Sequence, residues 1–239
     1  MLLSPTLPMP SREGEQVAWT LSAVDVACRR GGRTVLSRLS FELVPGEVIE
    51  LRWANGSGKT SLLRLLAGLA PPSGGEIRWR GRPVQAGDLD YARGMAYLGH
   101  HNALSTELSA LENLRFLQRL HDAGEGADPS LALQAWGLAA QAQQPVRQLS
   151  QGQRRRLALA RAWMTRRPLW LLDEPCAALD KAGQSLFDER LAEHVQAGGG
   201  AVVATHSPLG IPGEMLRPLD LDGNARGEPH LSRDHADAC

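Results

Sequence analysis

The chain has 239 residues, 43% of them hydrophobic and 22% charged, enough for a full buried core in one large domain or in one domain carrying an inserted subdomain. Its 26 basic and 26 acidic residues balance, so the total shows none of the basic excess of a nucleic-acid binder. Cys28, Cys176 and Cys239 are widely spaced and odd in number, which argues against a disulfide framework or a zinc-ligand pattern and fits a reducing compartment.

In chain order, residues 1–18 begin with a proline-interrupted stretch that lacks both a basic start and a sustained apolar run, and they read as an extension and not as a signal peptide. Leu39-Ser40-Phe41-Glu42-Leu43 and Glu76-Ile77-Arg78-Trp79 alternate apolar and polar residues, with Pro45-Gly46 and Ser73-Gly74-Gly75 as turns. These predict half-buried antiparallel strands in a small β-layer. Val48 to Leu51 predicts a short strand, and the leucine-rich run from Thr60 to Leu69 a helix stopped by Pro71-Pro72. Between about residues 100 and 165 the pattern becomes helical, with segments at Leu108 to Leu120, Leu131 to Trp136 and Gln153 to Trp163, as expected of an inserted helical subdomain. Buried strands at Leu169 to Leu172 and Ala201 to Thr205, with a helix from Lys181 to Gln196 between them, imply a parallel core sheet and an α/β fold. One domain over 19–213 followed by a polar tail over 214–239 is the expected division. No apolar run approaches the roughly 18 to 20 residues that span a bilayer, so a membrane role would come through a partner.

The strand–loop–helix around residue 55 carries chemistry. Asn55-Gly56-Ser57-Gly58-Lys59-Thr60 supplies two glycines that let backbone amides face a phosphate, an ammonium for the β- and γ-phosphates and a hydroxyl for Mg²⁺. The full phosphate-loop pattern has glycine at position 53, where this chain has Trp53 followed by Ala54. That predicts a reshaped loop entry with the inner, phosphate-contacting half intact. The strand ending at Leu172 delivers Asp173, as a Mg²⁺ holder, and Glu174, as the group that polarises an attacking water. His206 directly follows the next strand and can reach the γ-phosphate or that water.

Leu149-Ser150-Gln151-Gly152-Gln153 precedes an apolar, arginine-rich helix and sets small residues and open N–H groups at a helix N-terminus. Since the chain already has a phosphate loop, this second site is read as a contact for nucleotide held by another subunit. Asp180 fits either a dimer-linking residue beside that site or the N-cap of the helix at Lys181, and both roles are compatible. The run Arg154-Arg155-Arg156 reads as a solvated or phosphate-facing helix start. His100 and His101, adjacent on an extended segment, are expected on opposite sides and not as joint metal or haem ligands.

With Asn55 to Thr60, Leu149 to Gln153, Leu171-Leu172-Asp173-Glu174-Pro175, Ala178-Leu179-Asp180 and His206 in this order, the chain resembles the ATP-binding cassette (ABC) ATPases over roughly residues 20 to 210. The resemblance implies an ABC-type P-loop ATPase that uses ATP and Mg²⁺. It implies a head-to-tail homodimer, in which Ser150, Gly152 and Gln153 of one subunit close on ATP held at Lys59 and Thr60 of the other and so drive a membrane partner. Tyr97 to His101, Leu108 to Leu114 and Gln153 to Trp163 further resemble the ATP-binding subunits of haem exporters in cytochrome c maturation. This implies integral membrane partners, haem as the delivered group and a peripheral place on the cytoplasmic face of the bacterial inner membrane. A glutamine that contacts Mg²⁺ in the family is matched here by His101, whose neutral imidazole can ligate a metal. The aromatic residue that stacks on adenine has no counterpart between Cys28 and Arg33, where Arg29 or Arg30 offers a guanidinium plane. Two alternatives stand beside the transport reading: a cassette ATPase acting on ribosomes or DNA, and a nucleotide-binding module whose hydrolysis is impaired by Trp53 and His101.

Overall fold

In the computed structural model, residues 19–52, 58–120 and 126–220 are described. The expected loop residues Trp53, Ala54, Asn55, Gly56 and Ser57, the 1–18 extension and everything past Asp220 lie outside them. The predicted parallel sheet forms from β3 (Val48–Arg52), β6 (Met95–Leu98), β7 (Leu169–Asp173), β8 (Gly200–Ala204) and β9 (Leu216–Asp220), in the order β6-β7-β8-β3-β9. Every neighbouring pair in it is parallel. β7 and β8 read as near-continuous apolar runs because both their faces are covered. Along β7, Leu169 and Leu171 enter one core while Trp170 and Leu172 enter the other, and β8 divides its residues in the same way.

One core lies between this sheet, α1 (Lys59–Leu66) and an antiparallel sheet of order β2-β1-β4-β5, built from β1 (Leu21–Arg30), β2 (Arg33–Leu43), β4 (Gly74–Trp79) and β5 (Arg82–Pro83). A short α2 (Leu89–Gly94) leads into β6 and buries Tyr91, whose hydroxyl donates to the Leu66 carbonyl. The other core lies under α3 (Ala110–Leu120), α4 (Pro129–Ala135), α5 (Gln151–Met164) and α6 (Lys181–Gln196). The first three occur between β6 and β7 and surround the fully buried Trp136.

Several boundaries differ from the expected ones. The helix expected to run to Leu69 ends at Leu66, because Gly68 takes φ 68 and the N–H groups of Gly68 and Leu69 turn back to the carbonyls of Leu65 and Arg64, both at 2.9 Å. This glycine-terminated turn stops the helix before the prolines are reached. The start of α3 is set by a reciprocal cap: Ser109 N–H donates to Glu112 Oε2 at 2.7 Å, and Glu112 N–H donates to Ser109 Oγ at 3.2 Å. The stretch read as a polar tail from residue 214 contains β9, which pairs with β3 from Val48↔Leu216 to Arg52↔Asp220. Pro218 is tolerated there because β9 is an edge strand.

Packing also gives the fold an acid sensitivity. His194 on α6 lies flat on Trp170 of β7, ring centroids 4.0 Å apart and planes 9° from parallel. Burial pushes its pKa down from 6.5 to about 4, against the smaller opposing effect of the Gly200 and Pro168 backbone bonds. The folded state thus binds this proton less readily than the unfolded chain. His194 supports stability fully above about pH 6.5, and that support is lost as pH falls towards 4. Denaturant titrations between pH 7 and 4 are expected to show a loss of up to about one proton's slope, absent in His194→Phe, which keeps a flat ring on Trp170. An unchanged slope in that variant contradicts the assignment.

Candidate functional site

Three adjacent strands of the parallel sheet, β7, β8 and β3, bring their carboxyl ends to one place, where ligands of such sheets bind. From β3 the chain reaches Gly58, the N-cap of α1, at φ 110, a left-handed conformation that glycine adopts without a Cβ clash. The N-cap Gly58 brings no side chain to the start of α1, and a helix N-terminus favours an anion. Lys59 follows at 8% exposure, its Nζ 3.0 Å from His206 Nε2 and 3.3 Å from Nδ1, which sets the ammonium beside the imidazole. Glu174 Oε1 is 3.8 Å from the same ammonium and 3.1 Å from His206 Nε2. Thr60 Oγ1 donates to Asp173 Oδ2 at 2.8 Å, joining α1 to the end of β7. Lys59, Thr60, Asp173, Glu174 and His206, singled out separately in the sequence, thus form one cluster.

Glu174 sits at φ 49, a conformation that costs a non-glycine residue roughly 1–2 kcal/mol. Its N–H donates to the Ala204 carbonyl at 2.8 Å. Its Oε1 is buried and accepts no directed hydrogen bond, since the nearby His206 nitrogen is close without being aligned. A buried acceptor of this kind needs a donor to complete it, and a water positioned for attack on a phosphate would serve. The donor set fits a magnesium triphosphate. The ammonium and the helix N-terminus suit phosphate oxygens, and the Thr60 hydroxyl and Asp173 carboxylate are 2.8 Å apart, where a cation can replace their mutual hydrogen bond. Among the described residues no three His, Cys, Asp or Glu side chains gather into a metal cage. A cation here would take its remaining ligands from phosphate and water, as Mg²⁺ does.

Ser150 is the N-cap of α5. Its Oγ accepts from Gln153 N–H at 3.2 Å, while Ser150 N–H donates to Gln153 Oε1 at 2.8 Å, a complete capping box. Both side chains are therefore engaged with each other, and the N–H groups of Gln151 and Gly152 are left without acceptors in the helix. A Cβ on Gly152 would lie 2.8 Å from the Ala178 carbonyl oxygen, so glycine is what lets α5 approach that loop. Asp180 caps α6 by accepting from Gly183 N–H at 2.8 Å, in agreement with one of its two expected roles.

Two expectations need correction. The arginine run is no solvated helix start. Arg155 is 3% exposed and donates to backbone carbonyls at the ends of β7 and β6, Arg154 donates to those of Val146 and Arg147, and Arg156 to those of Trp136 and Gly137. The legible signal was position, for Arg155 shares its helix face with Ala158, Leu159 and Ala162, all buried. His100 and His101 do not point to opposite sides; their rings meet edge to face at 5.6 Å and 76°, because the chain after β6 leaves the extended conformation. His101 is exposed and lines a cleft of about 470 Å³, which Thr60 also lines, between α1 and β6 on one side and α3 and α5 on the other.

A family model described as ABC transporter matches residues 36–177, from β2 through the acidic end of β7 and the loop after it. The chain belongs to the ABC transporter family. This ABC protein is 49% identical over 203 residues to a cytochrome c biogenesis ATP-binding export protein, CcmA, of Cupriavidus necator, covering 84% of this chain and 88% of the relative. It is 43% identical over 201 residues to the protein of that name in Escherichia coli K12, covering 84% and 96%. An ATP-binding subunit of an ABC transporter has a similar structure (TM-score 0.70, 26% identity, 78% and 79% of the two chains). A putative ABC transporter ATP-binding protein from Pyrococcus furiosus shares the fold at TM-score 0.73 and 21% identity, covering 86% and 98%. As an ABC ATPase the chain binds and hydrolyses ATP and works with membrane subunits. Among its described residues no helix is long and apolar enough to cross a membrane.

The capping box gives Ser150 a measurable task within its own subunit. Ser150→Ala is expected to destabilise the domain by about 1 kcal/mol through lost capping, seen as a fall in Tm of roughly 2–4 °C for a domain of this size. An unchanged melting temperature would mean that the box carries no stability.

Proposed function

We propose that this chain is the ATP-hydrolysing subunit of an exporter that serves cytochrome c maturation, with haem as the delivered group. It works as a head-to-tail homodimer on the cytoplasmic face of a bacterial inner membrane. The observation that carries the catalytic part is the cluster of Lys59, Thr60, Asp173, Glu174 and His206, with an unsatisfied Glu174 oxygen at its centre. The export part rests on the similarity to relatives named for cytochrome c biogenesis.

In this reading Lys59 and the α1 N-terminus hold the β- and γ-phosphates, so charge that develops on them during transfer meets fixed positive groups. Thr60 and Asp173 would hold Mg²⁺, which would neutralise phosphate charge. Glu174 Oε1 accepts a hydrogen bond from the attacking water. The water oxygen bonds to the γ-phosphorus as the bond to the β–γ bridging oxygen breaks, and the water's proton passes to the carboxylate or onward to phosphate. His206, held between Lys59 and Glu174, contacts the γ-phosphate and registers its presence. Ser150, Gly152 and Gln153 of a second copy close over the nucleotide, contributing the open amides of α5. Glu174→Gln is expected to lower turnover at least 100-fold with ATP affinity preserved, and cells carrying only that variant should lose covalent haem attachment to c-type cytochromes. Undiminished ATPase activity contradicts the mechanism, and intact haem attachment alongside lost ATPase contradicts the export assignment.

A membrane subunit must press on a surface that moves with the ATP site, and the 470 Å³ cleft meets that condition because Thr60 and the loop after β6 both line it. Arg64, exposed on α1, and Arg161 line it, and Leu69, 56% exposed, also lines it. An amphipathic segment with acidic and apolar side chains suits this lining. Arg64→Glu is expected to reduce recovery of the subunit with membranes while leaving ATP affinity unchanged; undiminished recovery places the contact elsewhere.

A further inference from the structure

Arg155 is buried at 3% exposure, and every N–H of its guanidinium has an acceptor. Nε donates to the Pro175 carbonyl at 3.1 Å, and Nη2 to the carbonyls of Asp173 at 2.5 Å and Glu174 at 2.7 Å. Nη1 turns the other way, to the Gly99 carbonyl at 3.2 Å and Asn102 Oδ1 at 2.9 Å. A single planar group on α5 therefore binds three consecutive carbonyls at the end of β7 and, through its remaining nitrogen, the loop that follows β6. That loop lines the cleft and is held a second time by Arg161, which donates to the carbonyls of Asn102 and Ala103.

We propose that Arg155 is a positioning residue for ATP hydrolysis: it fixes the backbone that carries Glu174 and links that backbone to the loop 99–103, so that displacement of the loop reaches the carboxylate. Two features of the site support this. Glu174 occupies φ 49, and a residue in that region keeps its conformation only where its surroundings over-determine it. Bonds to its own carbonyl and to those on either side supply that constraint. The planar fork is also specific to arginine, because an ammonium offers three donors from one point and cannot span both segments. Arg156, the next residue, serves as an internal contrast, since it binds two carbonyls of the helical layer, at Trp136 and Gly137, and none at the end of β7. The proposal rests on the assignment of Glu174 as the group that polarises the attacking water.

The experiment compares Arg155→Gln and Arg155→Lys with Arg156→Gln and Glu174→Gln, measuring Tm, KM and kcat on the full chain. Both Arg155 variants are expected to lose kcat by at least tenfold, with KM for ATP nearly unchanged, because the carboxylate is misplaced while the phosphate contacts remain. Arg156→Gln should shift Tm alone. Hydrogen exchange on Glu174→Gln protein, which needs no Arg155 variant to fold, should show ATP slowing the amides at 99–103 together with those at 173–176. Wild-type kcat in a folded Arg155 variant overturns the proposal, as does an equal loss in Arg156→Gln, or ATP protection that reaches 173–176 and leaves 99–103 unchanged. If Glu174→Gln itself turns over normally, the reading of Glu174 fails first, and the two failures are thereby separable.

Discussion

The hydrogen bond from Thr60 Oγ1 to Asp173 Oδ2 is the constraint around which the site is arranged. It fastens the first turn of α1 to the last residue of β7, two elements separated by 113 positions in the chain. With α1 held there, Lys59 is brought under the end of β8, where His206 emerges, and Glu174 is placed one residue beyond the fastening. The fold supplies the rest through the parallel sheet. Strands buried on both faces have little freedom to slide, because a shift of one residue would exchange the two cores that Leu169 and Trp170 enter. The positions of the chemical groups are therefore inherited from apolar packing several residues away.

Helix α5 is the second organiser. Its N-terminus carries the capping box, its middle carries Arg155 and Arg161, and its buried side joins the core shared by the helical layer and the sheet. Three successive arginines reach separate parts of the fold because consecutive helical residues diverge by about 100°. A sequence that looks like a patch for an external polyanion becomes a set of internal ties to carbonyl groups. The choice between those outcomes is made by the leucines and alanines interleaved with the charges, which bury one side of the helix and take Arg155 with it.

Much of this was legible in the sequence, and the failures have physical causes. Strands β3, β7 and β8, helix α6 and the members of the cluster around Lys59 and Glu174 were readable because apolar runs, turn residues and polar strand ends coincide. Strand β1 was not read, because bulges with Asp25 at φ 48 shift its buried positions from Leu21 and Ala23 to Val26 and Cys28 and so break the alternation. Strand β9 was hidden by Pro218 and by charged neighbours that an edge position tolerates. The role of Arg155 was invisible because its acceptors are backbone carbonyls, which no residue type announces. The mutual approach of His100 and His101 depended on a turn after β6 that no proline or tight-turn pair marked.

Strand β9 has a further consequence. It occupies the outer side of β3, the strand that leads into the phosphate-binding segment, and every residue from Val48 to Arg52 has a partner in it. Without β9 the run Val48-Ile49-Glu50-Leu51 would present an unpaired row of amides and carbonyls with strongly apolar side chains, a template for pairing with other chains. The last stretch of the described chain therefore protects the solubility of the whole subunit. A chain shortened to end just before Leu216 would keep β8 on one side of β3 and leave an open sheet edge on the other, beside the nucleotide site.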